Sequence, residues 1–177
     1  GAFIFTADAA ELDLTVESSD GYDASVLIDD DYFTTDYYMK GTTLTFTATE
    51  NISTLYIKWD TEPGEYKLTI NGTDYTYGKH NFLHEYIKLP EEAKSVMITI
   101  PKDRVYIADV YAFSAGSVPE WVEIWEDPYT ETDFLIFSAH SDDEILFMGS
   151  IAPTYLEKGD YRVQVAYFVD FTKEGVA

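Results

Sequence analysis

The chain has 177 residues, 46% hydrophobic and 16% aromatic, enough apolar material for a packed core and too much for a disordered polypeptide. Its formal net charge of −22 repels phosphate backbones and argues against nucleic acid as a partner, while neutral glycans or cationic cell-wall components stay compatible with it. With no cysteine there are no disulfides or thiolate metal sites, and no stretch approaches the roughly 18 apolar residues of a membrane span.

Fifteen tyrosines and abundant threonine tilt the first two-thirds toward strands. Residues 43–49 alternate strictly, 54–59 follow closely, and Pro63-Gly64 marks a turn. Residues 65–70, Asn71-Gly72 and 73–77 predict a hairpin with a type I′ turn. Segments 86–89, 95–100 and 105–113 complete the set, and short strands at this spacing predict a β-sandwich over 1–117. Sequons at Asn51-Ile52-Ser53 and Asn71-Gly72-Thr73 carry no weight without a host.

Residues 118–132 break the pattern with two prolines and two tryptophans. They read as an ordered linker, with Trp121 and Trp125 too apolar for free solvent and expected to pin it to a neighbouring surface. Residues 134–139 form a continuous apolar run, as in a strand buried on both faces. Apolar residues at helical spacing then run from Ile145 to Leu156, interrupted by Pro153 and stopped by Gly159. A second strand covers 161–169. Strand, helix and strand at this length predict a βαβ unit over 133–177. A lone unit leaves a sheet edge and a face uncovered, so the expectation is the opening of a larger Rossmann-like α/β domain that the chain cuts short. The predicted fold class is mainly β: a sandwich followed by the first βαβ unit.

Ala139-His140-Ser141-Asp142-Asp143-Glu144 sits between that strand and helix. Ser141 and Glu144 fit a capping box, and acids in a first turn suit the helix dipole. Capping leaves His140 unexplained, along with two adjacent carboxylates at a strand's C-terminal end, where open α/β sheets bind ligands. A structural cap and a metal or catalytic role both remain open from residue types alone. His80 and His84, spaced i and i+4, lie between strands with no helical run, and a surface or structural role is expected for them rather than a metal.

The string resembles the Ala-His-Pro-Asp-Asp-Glu signature of the PIG-L/LmbE-like zinc-dependent N-deacetylases, over about the last quarter of the chain. The resemblance implies His140 and Asp143 as zinc ligands and Asp142 as the general base toward zinc-bound water. Ser141 stands where the family has proline, and Ser150 where a glycine often follows Gly149. The family's third ligand is a later histidine, and the only histidines here are His80, His84 and His140, so this fragment is expected to be inactive. Residues 24–36 and 107–116 resemble segments of galactose-binding-like, discoidin-type sandwiches. Such modules bind glycans through loop aromatics, here Tyr32, Tyr37, Tyr38 or Trp59, although core packing accounts for these equally. Some carry a structural Ca2+, for which Asp29, Asp30 and Asp31 offer oxygens; a solvated turn accounts for the same triplet.

Two functions follow as expectations. In the first, a longer protein containing this chain is a zinc-dependent hydrolase that removes the N-acetyl group from an N-acetylglucosamine-type sugar or glycoconjugate. In the second, the chain is a non-catalytic glycan-binding or structural sandwich with a degenerate catalytic remnant. Two-module organisation and acidity suggest secretion or a cell-surface location, although no signal peptide is legible.

Overall fold

The computed structural model describes residues 7–139, 149–159 and 161–168, which fall into two compact units, Gly1–Trp125 and Glu126–Ala177. His140, Asp142 and Asp143 lie outside the described residues, as do Ile145, Leu146 and Met148 of the predicted helix.

The first unit is one antiparallel sheet that folds over on itself. Its strands are β1 (Leu14–Ser18), β2 (Asp36–Tyr38), β3 (Thr43–Trp59), β4 (Tyr66–Ile70), β5 (Thr73–Tyr77), β6 (His84–Thr99) and β7 (Val105–Phe113). β3 and β6 are each one strand where the sequence reads two. Their pairing loses register between Thr47, Ile52 and Thr54, and these irregularities bend both strands from one layer into the other. One layer contains β1, the first half of β3, the second half of β6, β4 and β5; the other contains β2, β7 and the remaining halves. The polar segments that look like turns, around Glu50 and around Glu91, are the exposed corners where the strands change layer.

Alternation sets what each layer buries. Leu44, Phe46, Leu68, Ile70, Val96 and Ile98 of the first layer meet Leu55, Ile57, Trp59, Ile87, Ile107 and Val110 of the second in one core. The β4–β5 hairpin turns on Asn71 (φ 48°) and Gly72 (φ 83°), the two positive values a type I′ turn requires. Glu85 closes one end of the core. Its carboxylate accepts from Trp59 Nε1 (3.1 Å), Tyr66 Oη (2.9 Å) and the Gly78 amide (3.1 Å), and burial raises its pKa.

The second layer is also covered on its outer face. Ala9, Tyr56, Tyr111, Phe113 and Val122 form a smaller cluster there, with Tyr86 and Val118 against it. Thus Val118, Trp121 and Val122 belong to the first unit, where the sequence places a linker beginning at 118.

The second unit holds two parallel strands, β8 (Phe134–Ser138) and β9 (Val163–Tyr167), paired from Phe134↔Val163 to Ser138↔Tyr167. Helix α1 (Ile151–Glu157) lies between them in sequence. Pro153 sits in its first turn, where a missing N–H costs nothing, and Gly159 (φ 74°) ends it. Phe134 stacks on Tyr155 at 4.1 Å between centroids. β8 is not buried on both faces as its apolar run suggests. Ile136 and Ser138 are buried while Leu135 and Phe137 are exposed, and among the described residues Tyr155 of α1 stacks on Phe134, which shares the face of Ile136.

Candidate functional site

Strand register assembles the site on the outer face of the second layer. Tyr56 on β3 pairs with Tyr111 on β7 and with Tyr86 on β6, making a tyrosine row across three strands. Two residues along, Lys58 pairs with Asp109 on one side and His84 on the other, making a charged row. Period-two alternation puts both rows on the same face.

Segments outside the strands wall these rows. Trp121 lies 5.0 Å from Tyr111 and 5.8 Å from Tyr56 between ring centroids, and it remains 45% exposed. Glu123 reaches His84 Nδ1 at 3.2 Å, and its amide donates to Tyr56 Oη at 3.3 Å. Glu11 and Asp30 close the other side. The result is an open cleft of about 450 Å³ lined by Glu11, Asp30, Tyr56, Lys58, His84, Tyr111, Trp121 and Glu123.

The polar groups inside the cleft are ordered by one another. Lys58 Nζ donates to Tyr111 Oη at 3.3 Å, and Tyr111 donates to Asp30 Oδ1 at 2.8 Å. Lys58 also sits against the rings of Tyr111 (4.8 Å), Trp121 (5.5 Å) and Tyr32 (5.8 Å). Burial raises the Tyr111 hydroxyl pKa far above its ordinary value, reinforced by Asp30 and Asp109, so the group is a neutral donor. Burial likewise raises Glu11, and the Asp30 and Asp13 charges add to it. Asp109 is 1% exposed and neither carboxylate oxygen has a hydrogen-bond partner. Its pKa is raised chiefly by burial, with Lys58 and the nearby Tyr111 hydroxyl opposing and Asp29 and Asp30 reinforcing.

Asp29, Asp30 and Asp31 do not converge on a common point. Asp29 accepts from the Asp31 amide (3.0 Å) and from Thr34 Oγ1 (2.9 Å), and Asp31 accepts from the Phe33 amide (3.0 Å). Asp30, at φ 60°, turns the other way and holds Tyr111. The triplet builds a self-capped turn. Among the described residues no three His, Asp or Glu side chains form a metal site, so the geometry offers a Ca2+ only the orphaned Asp109 carboxylate beside this turn.

Of the aromatics the sequence singles out, Trp59 and Tyr38 are core residues. Tyr37 is exposed against Tyr106, and Tyr32 stands edge-on to His84 at 5.8 Å beside the cleft. His84 is the first residue of β6 and a wall of the site, whereas His80 stacks on Phe82. Lys58, Tyr111, Glu11 and Glu123 carry no sequence signal as a set, because they come together only through register and through the closing segment. The two tryptophans are the exception: Trp121 is pinned on Tyr56 and Tyr111, and Trp125 on Phe82 at 5.0 Å.

No family model and no curated protein matches the chain. Among solved structures it is similar to CpGH89CBM32-6 of Clostridium perfringens, with 17% identity and a TM-score of 0.44 over 58% of this chain and 94% of that one. A pectin-binding carbohydrate-binding module aligns at 15% identity and 0.43, over 63% and 96%. Chitosan-binding module 1 from the chitosanase/glucanase of Paenibacillus sp. IK-5 aligns at 16% and 0.46, over 58% and 96%. At these scores the likeness is one of mainly-β sandwich architecture and carries no weight for ligand or activity.

Proposed function

We propose that the first unit is a non-catalytic saccharide-binding module and that the cleft on its outer face takes the sugar. One observation carries this reading: the exposed Trp121 ring, seated on the buried Tyr56 and Tyr111 rings, stands directly beside the hydrogen-bonding groups Lys58, His84 and Glu123. A pyranose has the matching chemistry, with an apolar C–H face to stack and hydroxyls around its edge to bond. The cleft's groups already hold one another in place, so little ordering cost accompanies binding. Titration calorimetry of the full chain against a panel of neutral, N-acetylated and cationic saccharides tests it. Trp121→Ala should weaken the bound sugar about tenfold, corresponding to about 1.4 kcal/mol of lost stacking. Equal binding by wild type and Trp121→Ala would remove the cleft as the site.

A second reading concerns the second unit and a longer protein containing it: a zinc-dependent N-deacetylase whose sandwich delivers it to N-acetylated sugars. It is favoured by the position of Ala139, which directly follows the C-terminal end of β8 in a parallel pair, the edge where α/β sheets take their ligands. On the resemblance, His140 and Asp143 would hold Zn2+ and Asp142 would act as base, all outside the described residues. Zinc would supply an acidified water. In the longer protein, Asp142→Asn should keep its zinc content, read by elemental analysis, and lose acetate release from N-acetylglucosamine conjugates. Unchanged acetate release would sink the base assignment.

A further inference from the structure

We propose that the groove beside Trp125 is a second saccharide subsite continuous with the first, so that the module takes an oligosaccharide of at least two units rather than a single sugar. This rests on the saccharide reading of the first cleft. The groove has a volume of about 390 Å³ and is lined by Phe82, Leu83, His84, Glu123, Ile124 and Trp125. His84 and Glu123, in contact at 3.2 Å, line both spaces, so one polar pair is the wall between two adjoining hollows.

Each hollow repeats the same chemistry, an aromatic platform beside that polar pair. In the second, Phe82 is held between His80, stacked at 5.3 Å and 19°, and Trp125 at 5.0 Å and 32°. Its platform is therefore set before any ligand arrives. Trp125 is nonetheless 64% exposed, and Leu83 and Ile124 beside it are also exposed, an apolar surface with no cover in this unit. Trp121 and Trp125 are four residues apart, which limits their Cα separation to about 14 Å, so their rings stand within the reach of a short oligosaccharide. A repeating polymer of one sugar is the occupant that meets two copies of one recognition pattern. A second copy of this chain fits poorly, because two molecules of formal charge −22 repel each other.

Calorimetry of the full chain with N-acetylglucosamine, its β-1,4 dimer and its tetramer tests the proposal, with Trp121→Ala and Trp125→Ala alongside. Wild type should bind the tetramer about tenfold or more tighter than the monomer. Trp125→Ala should bring that ratio close to one, whereas Trp121→Ala should weaken every length alike. A wild-type affinity independent of length, or a ratio that survives Trp125→Ala, overturns the second subsite and leaves the first cleft standing. Absence of binding by all three and by the rest of the saccharide panel overturns the saccharide reading of the first cleft and this inference with it. Sedimentation that reveals a dimer abolished by Trp125→Ala overturns the inference in favour of a second copy.

Discussion

Asp109→Asn should stabilise the first unit at neutral pH, an unusual direction for a change at a buried residue. The side chain is 1% exposed, neither oxygen has a partner in full hydrogen-bond geometry, the Tyr111 hydroxyl gives it only partial relief, and the Asp29 and Asp30 charges repel it. Lys58, across the β3–β7 pair, offsets part of the burial penalty through its charge, while its ammonium donates to the Tyr111 hydroxyl. Asparagine keeps the shape and removes the charge. A buried polar group without a partner costs about 1–3 kcal/mol and a charge costs more, so about 1–2 kcal/mol should return on neutralisation. In a unit of this size that is about 3–6 °C in Tm per kcal/mol.

The sign with pH follows from the folded pKa lying above the ordinary aspartate value of 3.8. Below 3.8 the carboxyl is protonated in both folded and unfolded chains, and wild type and variant should melt together. As pH rises through the folded pKa the wild type alone loses stability, and the gap is constant above that. Differential scanning calorimetry in chelator at pH 2.5 and pH 7 reads both limits. A variant less stable than wild type at pH 7 in chelator would refute the reasoning. Calcium gives a second check: an ion held by Asp109 raises the wild-type Tm and leaves the asparagine chain unmoved.

Other positions follow from the same geometry. Gly78→Ala should destabilise by about 2 kcal/mol or more, since φ is +80° and a Cβ would strike the Gly64 carbonyl oxygen and the Tyr66 ring; an unchanged urea midpoint would contradict the close approach. Glu85→Gln should cost about 1–3 kcal/mol in urea unfolding, because both carboxylate oxygens accept hydrogen bonds and glutamine has only one acceptor oxygen. Thr34→Val should cost about 1 kcal/mol by freeing Asp29, and should also weaken sugar binding by loosening the turn that carries Asp30 and Tyr32. Full sugar affinity in that variant would separate the turn from the site.

Local chemistry made parts of this fold legible in the sequence. The β4–β5 hairpin follows from Asn71-Gly72 because a type I′ turn needs two positive φ angles and those residues supply them cheaply. The core face of β7 does not follow from alternation: Ile107 and Val110 share the core three residues apart, because its pairing with β3 shifts register between Lys58 and Trp59. Where two layers share a strand, the signal fails. β3 and β6 bend around corners rich in Thr, Asn and Glu, and polar residues at a corner look the same as polar residues in a turn. β1 and β2 are edge strands of five and three residues, too short to stand out from the polar segments around them. The cleft was least legible of all: Lys58 looks like any solvent-facing lysine until register sets it between Asp109 and His84.

The segment from Val118 to Trp125 explains why a site exists on that face. A sheet packed on one side ordinarily leaves its other side to solvent, polar and flat, with no concavity for a ligand. Here the outer face of β3 and β7 is aromatic, so the chain has to cover it, and Val118, Val122 and Trp121 do so from one side while Ala9 does so from the other. The cover stops short of Lys58, which would lose its hydration under a closed lid; the three surrounding rings and the Tyr111–Asp30 relay hold its ammonium at an open mouth instead. A covered apolar strip with one charge that resists being covered becomes a cleft with aromatic walls and a polar floor. The same covering segment then supplies Glu123 and ends in Trp125, so the residues that make the face soluble are also those that give it a ligand's shape.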